Sequence, residues 1–305
     1  MTNLLNSETQ SGETPVQLSH AETDALLSAV KEQLDLDAFD SNNHQLLKQM
    51  VECMGDSRGM VRLGFAQSLA EIGDPATPFL LNALANHPNP VVRRASAKTL
   101  TIIADPKTVP NLVHAFLNDE DTVVQGSAVG ALARTGEAAV PVLLEILASP
   151  SHPEATKGHA AWALAFIGAE AKEYIYPAIA SDSPTVRAAV VGAVAKVAQE
   201  LSEPQAFNLL INALTDSDVN VRCEAASVLG NLAYTQAIPH LTELLDSADW
   251  ETRKAAALAL MKIGSRTALE PLQAALVKEQ ETAVQQVIKL AISQLEKQTV
   301  EDDWG

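Results

Sequence analysis

A pattern of about 32 residues recurs along this chain, and no other feature constrains its fold as strongly. Each copy is anchored by a basic or amide residue directly after the Val or Thr that opens a helix: Arg62, Arg93, Gln125, Lys157, Arg187, Arg222, Arg253 and Gln285. Successive anchors are 31, 32, 32, 30, 35, 31 and 32 residues apart. Offset +7 from the anchor is Leu69, Leu100, Leu132, Leu164, Val194, Leu229 and Leu260, and offset +4 is always Ala or Val in the first seven copies. Together with offset +10 (Ile72, Ile103, Thr135, Ile167, Val197, Leu232, Ile263), these make one apolar face at the helical period, broken only by Thr135. Offset +11 is always Gly or Ala, which suits a helix that closes there.

Before each anchor lies a turn rich in Asp, Ser, Asn and Pro, such as Asp56-Ser57, Asn118-Asp119, Ser181-Asp182-Ser183 and Asp216-Ser217-Asp218, expected to cap the following helix. After it comes a second apolar segment, usually led by a proline: Pro78, Pro110, Pro141, Pro204, Pro239, Pro271. Two helices in about 32 residues, with no strand signal between them, predict an all-α solenoid of about eight helix pairs whose units bury a core only against their neighbours. The expected layout is a tail over 1–18, one solenoid over 19–297 opened by a capping helix with Leu26, Leu27, Val30 and Leu34 on one face, and an acidic tail over 298–305. Asp56, Asp182, Asp218 and Asp249 precede Arg62, Arg187, Arg222 and Arg253, a recurrence that suits an Asp-to-Arg ladder between repeats.

The net charge of −17 and the lack of any basic run exclude the usual electrostatic footprint of nucleic-acid or anionic-membrane binding. The longest apolar run, Ala160 to Ile167, has eight residues, against about 20 needed to span a bilayer, so membrane insertion is not expected. The start lacks a basic, apolar secretory pattern, and the expected location is cytoplasmic. Cys53 and Cys223 have no ligand spacing and read as reduced helix residues; His87, His114, His152 and His240 are dispersed, so no metal site is expected. No GxSxG, Walker loop, HExxH or paired catalytic carboxylates occur, and catalytic residues are left unassigned.

Offsets +1, +5 and +9 lie opposite the core positions and should line the concave surface. At +5 the series is Gln67, Lys98, Gly130, Trp162, Gly192, Ser227 and Leu258, which sets Trp162 between two glycines. Glycine inside a helix costs about 1 kcal/mol relative to Ala, so space or close packing must compensate. Gly126 and Gly158 repeat the theme at +1, His159 adjoins Gly158, and Arg94, Lys98, Arg134 and Lys196 flank the cleared zone. An aromatic plate, bare backbone and cations at the edge suit a flat apolar ligand carrying carboxylates. The alternative is that the glycines let helices approach closely and Trp162 fills the remaining space.

The runs Val92-Arg93-Arg94-Ala95, Val186-Arg187-Ala188-Ala189 and Val221-Arg222-Cys223-Glu224-Ala225-Ala226 resemble HEAT repeats. The period, with the blocks Gly126 to Ala133 and Lys157 to Leu164, is similar to the HEAT-like repeats of cyanobacterial phycobilin lyases of the E/F type over nearly all the chain after residue 40. That resemblance implies attachment, removal or isomerisation of a linear tetrapyrrole (bilin) on a phycobiliprotein cysteine, or a chaperone or adaptor role without chemistry. It implies a bilin as transient ligand with no tightly bound cofactor, a phycobiliprotein subunit as partner, and a second HEAT-repeat subunit as a further candidate partner. It carries over no catalytic residue, because the acceptor thiol belongs to the partner. Two readings stay open: a phycobilin lyase or bilin chaperone, and a non-catalytic scaffold gripping a partner segment on its concave face.

Overall fold

A computed structural model of the chain describes residues 18–302, with side chains described through residue 297. Every regular element among these residues is helical, as the repeat requires. The expected tail over 1–18 lies outside the described residues except for its last position. The last helix runs to Asp302, so 298–302 continue that helix instead of forming a separate tail. Packing divides the chain into two compact units, Met1–Ala131 and Leu132–Gly305, where one array was expected.

The first unit holds α1 (His20–Asp35), α2 (His44–Cys53), α3 (Gly59–Ile72), α4 (Thr77–Asn86), α5 (Pro90–Ile103), α6 (Val109–Asn118) and most of α7 (Thr122–Arg134). Ser19 and Glu22 close a capping box on α1, satisfying two N-terminal donors reciprocally. α1 packs on α3, and Leu27 fills the space over Gly64, where a Cβ would stand 2.8 Å from Leu27 Cδ2. Asp24 also pairs with Arg58 at 2.9 Å, tying α1 to the turn before α3.

The second unit continues with α8 (Val140–Ala148), α9 (Glu154–Ile167), α10 (Lys172–Ala178), α11 (Pro184–Leu201), α12 (Pro204–Ala213), α13 (Val219–Asn231), α14 (Ile238–Leu244), α15 (Trp250–Ile263), α16 (Leu269–Lys278) and α17 (Thr282–Asp302). The anchor helices α9, α11, α13, α15 and α17 pack on one another in sequence and form one layer. The shorter helices α8, α10, α12, α14 and α16 pack against it from one side.

Burial follows the repeat closely. All seven offset +7 residues, Leu69 through Leu260, are fully buried. Offset +10 is weaker: Ile167, Val197 and Thr135 are buried, while Ile72, Ile103, Leu232 and Ile263 are only half-buried. Thr135 is tolerated because its hydroxyl donates to the Leu132 carbonyl at 2.7 Å. The row that sequence reading missed is offset +3: Phe65, Ser96, Ala128, Ala160, Val190, Ala225 and Ala256 are all buried. Mostly small side chains there let successive anchor helices approach, and small residues carry a weak hydrophobic signal. Helix closure at +11 holds at Gly73, Ala104, Gly136, Gly168, Ala233 and Gly264, all with positive φ. It fails at Ala198, because α11 runs on to Leu201 and closes at Ser202 with φ 53°; the extra turn accounts for the 35-residue spacing.

The ladder exists, with its carboxylates placed differently from the expectation. Arg93 is forked onto Asp119 at 2.9 and 3.0 Å, Arg187 onto Asp216 at 2.8 Å twice, and Arg253 onto Glu279 at 2.7 and 2.9 Å. Arg222 reaches Asp249 at 2.5 Å. Each acid belongs to the turn after the anchor's own helix pair, one repeat on. The preceding turn supplies backbone carbonyls instead: Arg187 Nη1 donates to Ser181 and Asp182, and Arg253 Nη1 to Ser247 and Ala248. Asp218 is a helix cap, and Asp56 takes the guanidinium of Arg58. No acid stands at the matching place for Arg62, whose Nη1 is spent on the carbonyls of Asp56 and Ser57.

Two outcomes follow from this packing. Leu132→Ala, a large-to-small change at a fully buried site, should cost about 2–5 kcal/mol in a denaturant titration. The Arg253 guanidinium holds Glu279 at about 2, and that of Arg58 holds Asp56 at about 2. Both values lie below those of the unfolded chain, so their contribution is complete above pH about 4.5 and drains away as pH falls toward 2. Thermal midpoints followed by circular dichroism should be level near neutrality and drop below pH about 4, less steeply in Arg253→Gln.

Candidate functional site

Residues at offsets +1, +5 and +9 are exposed or half-buried, in contrast to the buried rows at +3 and +7. In the second unit Trp162 is 51% exposed and Phe166, one turn later on α9, is 47% exposed. Their ring centroids are 5.7 Å apart with planes tilted by 36°, so the two form one aromatic platform. Phe166 was missed by sequence reading, although it occupies offset +9 of the same stripe; its apolar character alone made it look like core.

The glycines divide into two kinds. A Cβ added at Gly126, Gly130 or Gly158 would meet nothing within 4 Å, so close helix packing does not account for them. Gly230 is the contrast: its Cβ would stand 2.8 Å from the Ala259 Cα, which makes it a packing glycine. Gly192 falls between, with Glu224 Oε1 lying 3.7 Å from where its Cβ would be. Gly192 also borders a cleft of about 270 Å³ lined by Ala165, Lys196, Gln199, Val228 and Asn231.

The proposed cations are not equivalent. Arg94, in the first unit, reaches Asp121 at 3.5 Å, and its Nε is buried without a hydrogen bond. Lys98, in the same unit, is exposed and has no carboxylate partner among the described residues. In the second unit Lys196 pairs with Glu200 at 2.9 Å, its stem packed over Gly168, whereas Arg134 is exposed with no carboxylate partner among the described residues. His159 is exposed beside Gly158.

Neither thiol is a ready nucleophile. Burial pushes Cys53 up to about 11, and burial likewise raises Cys223, so both are protonated at neutral pH. His87 is structural: its Nδ1 accepts from the Asn89 N–H at 3.0 Å, which leaves Nε2–H to donate to Glu52 at 3.1 Å. A larger cleft of about 510 Å³ in the first unit lies among α4 and α6, away from the stripe, and the Arg93 and Asp119 that line it are the ladder pair.

The family model for HEAT repeats matches residues 45–133, 77–157 and 207–293. The chain is 40% identical over 281 residues to the bilin biosynthesis protein MpeU of Synechococcus sp. (strain WH8020), covering 92% of this chain and 95% of that protein. This chain belongs to the cyanobacterial HEAT-repeat phycobilin lyase family. Among solved structures, Kap121p matches with a TM-score of 0.57 at 15% identity, covering 89% of this chain and 37% of that one. That likeness is one of fold alone. The complex of CpcE and CpcF of phycocyanin lyase from Nostoc sp. PCC7120 matches at 26% identity with a TM-score of 0.44, covering 50% of this chain and 98% of that chain.

Because the stripe glycines of this family member are not needed for packing, Gly158→Leu and Gly130→Leu should keep or raise the thermal midpoint, Leu being the better helix former by under about 1 kcal/mol. Gly230→Ala, whose Cβ would collide with backbone, should lower it. Parallel melting curves of the three variants check both halves.

Proposed function

We propose that the chain is a phycobilin lyase or bilin chaperone that holds a linear tetrapyrrole on the open face of its second unit and presents it to a cysteine of a phycobiliprotein subunit. The full-length match to a bilin biosynthesis protein carries this reading. The exposed Trp162–Phe166 platform, beside Gly158 and Gly192 on the same stripe, supports its location. A bilin is flat, conjugated and apolar along its length and carries two propionates. Ring stacking on Trp162 and Phe166 would hold the plate, bare backbone at Gly158 would admit it, and Arg134, Lys196 and His159 would meet its polar edge.

Attachment is an addition. The acceptor thiol adds across the exocyclic double bond of a terminal pyrrole ring, a C–S bond forms, the thiol proton ends on the neighbouring carbon, and nothing leaves. The strong nucleophile belongs to the acceptor, and the task left to this chain is orientation, which can supply a large share of a barrier. Its own protonated thiols fit that division.

On the first unit taken by itself, Lys98 and Arg94, with Gly126 and Gly130 on the same stripe, are proposed as a separate surface for a carboxylate-bearing ligand. The adaptor reading also has an observation in its favour: Leu63 and Ile102, on the stripe of that unit, are 46% and 62% exposed, an apolar surface suited to a protein partner.

An absorbance titration of the purified chain with free phycocyanobilin and phycoerythrobilin separates the readings. Binding by the wild type, weakened about tenfold or more by Trp162→Ala and by Arg134→Glu, is the expected result; tenfold corresponds to about 1.4 kcal/mol. Lys98→Glu and Arg94→Glu test the first unit in the same assay. Absence of any bilin binding, together with no zinc-fluorescent adduct when the chain is coexpressed with a bilin pathway and acceptor subunits, would leave the adaptor reading.

A further inference from the structure

Offset +2 of the anchor helices is Gly64, Ala95, Ser127, His159, Ala189, Glu224, Ala255 and Val287, so Glu224 puts the sole carboxylate of the series at this position. It stands on α13 in the second unit, where α13 packs directly on α11. The residue facing it across that contact is Gly192: Glu224 Oε1 lies 3.7 Å from the place a Cβ there would occupy. With no side chain at Gly192, the Glu224 carboxyl lies beside bare backbone at an ordinary contact distance.

Glu224 makes no hydrogen bond or ion pair among the described residues. Burial raises its carboxyl pKa, with no charge or hydrogen bond opposing the shift. Lys196, one turn beyond Gly192 on α11, is directed to Glu200 instead. The other interior carboxylates behave differently: Asp119, Asp216 and Glu279 each take an arginine fork. A half-buried carboxyl without a hydrogen bond or ion pair among the described residues costs stability and has no polar partner that would offset the cost. An acceptor held in this way is suited to a ligand that brings donors.

We propose that Glu224 is the polar anchor of the bilin face, its carboxyl accepting hydrogen bonds from the pyrrole N–H groups of a linear tetrapyrrole lying over Gly192. This inference rests on the bilin-binding reading and specifies which residue fixes the chromophore's register. The inner edge of a linear tetrapyrrole presents several N–H donors, and one carboxylate has two oxygens that accept from two of them. Stacking on an aromatic platform leaves sliding free, whereas a fixed acceptor selects one position along the chromophore. Glu224 is accordingly a positioning residue.

The test uses the full chain titrated with free phycocyanobilin, comparing wild type, Glu224→Gln and Glu224→Asp by absorbance and by thermal midpoint. Glu224→Gln keeps the size but introduces an N–H₂ donor and removes the charge. It should weaken binding about tenfold or more and move the bound chromophore's visible band toward that of free bilin, while its midpoint without bilin stays level or rises. Glu224→Asp, which keeps the charge on a shorter stem, should recover part of the band shift. If wild type binds and both variants match it in affinity and spectrum, the inference is overturned and the bilin reading stands. A lowered midpoint in bilin-free Glu224→Gln would also overturn it, by showing that the carboxyl has a structural partner. Failure of the wild type to bind removes both.

Discussion

The arginine at the start of four anchor helices, Arg93, Arg187, Arg222 and Arg253, makes the interaction that ties one repeat to the next. One guanidinium closes the carbonyls of the turn behind it through Nη1 and grips the carboxylate of the turn ahead through Nε and Nη2, as Arg187 does with Ser181, Asp182 and Asp216. A planar group with five donors in fixed directions can satisfy both turns at once, which a lysine cannot. Where the anchor is Gln125, only the backward half survives, an Nε2–H donated to the Asp119 carbonyl at 2.7 Å. Lys157 is held by Glu154 within its own helix.

With the turns clamped, the helices can approach on small residues. Offset +3 is filled chiefly by Ala, Ser and Val and offset +7 by Leu or Val, so the core is thin, aliphatic and continuous within each unit. Core duty occupies one side of each anchor helix, and the ladder occupies its first turn. The opposite stripe carries fewer structural contacts, among them Lys262 donating to Asn231 at 2.7 Å, and glycines, exposed aromatics and cations stand there without disturbing the core. Gly126, Gly130 and Gly158 belong to that freed surface, whereas Gly64 and Gly230 are held by contacts with Leu27 and Ala259.

The chemistry available on that surface is that of holding. It has rings for stacking, cations for carboxylates and, at Glu224, an acceptor without a donor. The thiols of the chain, Cys53 on α2 and Cys223 on α13, stay protonated at neutral pH. For an addition reaction whose nucleophile sits on another protein, positioning is the contribution that lowers the barrier, and a stiff repeat array supplies it without a catalytic triad.

The period of the anchors, the Leu row at +7 and the Gly or Ala at +11 made the helix-pair architecture legible from residues alone, because a repeat buries the same positions every time. The exposure of Trp162 and, on its own unit, of the Gly126 position was legible for the same reason, since helical phase sets which residues of a helix share a face. What phase cannot carry is the direction of a long side chain between helices. The sequence placed an aspartate before Arg187, Arg222 and Arg253, yet only the fold showed that these side chains reach forward to Asp216, Asp249 and Glu279, because stacking brings the next repeat's turn to the guanidinium. Likewise Arg94, placed at the edge of the cleared zone, is set against Asp121 of the next repeat's turn only by packing, whereas the Lys196–Glu200 pair lies four residues apart on one helix. The approach of the Glu224 carboxyl to Gly192 likewise follows from the packing of α11 on α13. Local periodicity determined the helices, their faces and the charge pairs within one helix; the pairing of charges between repeats was decided by which turns meet, and that is a property of the tertiary structure alone.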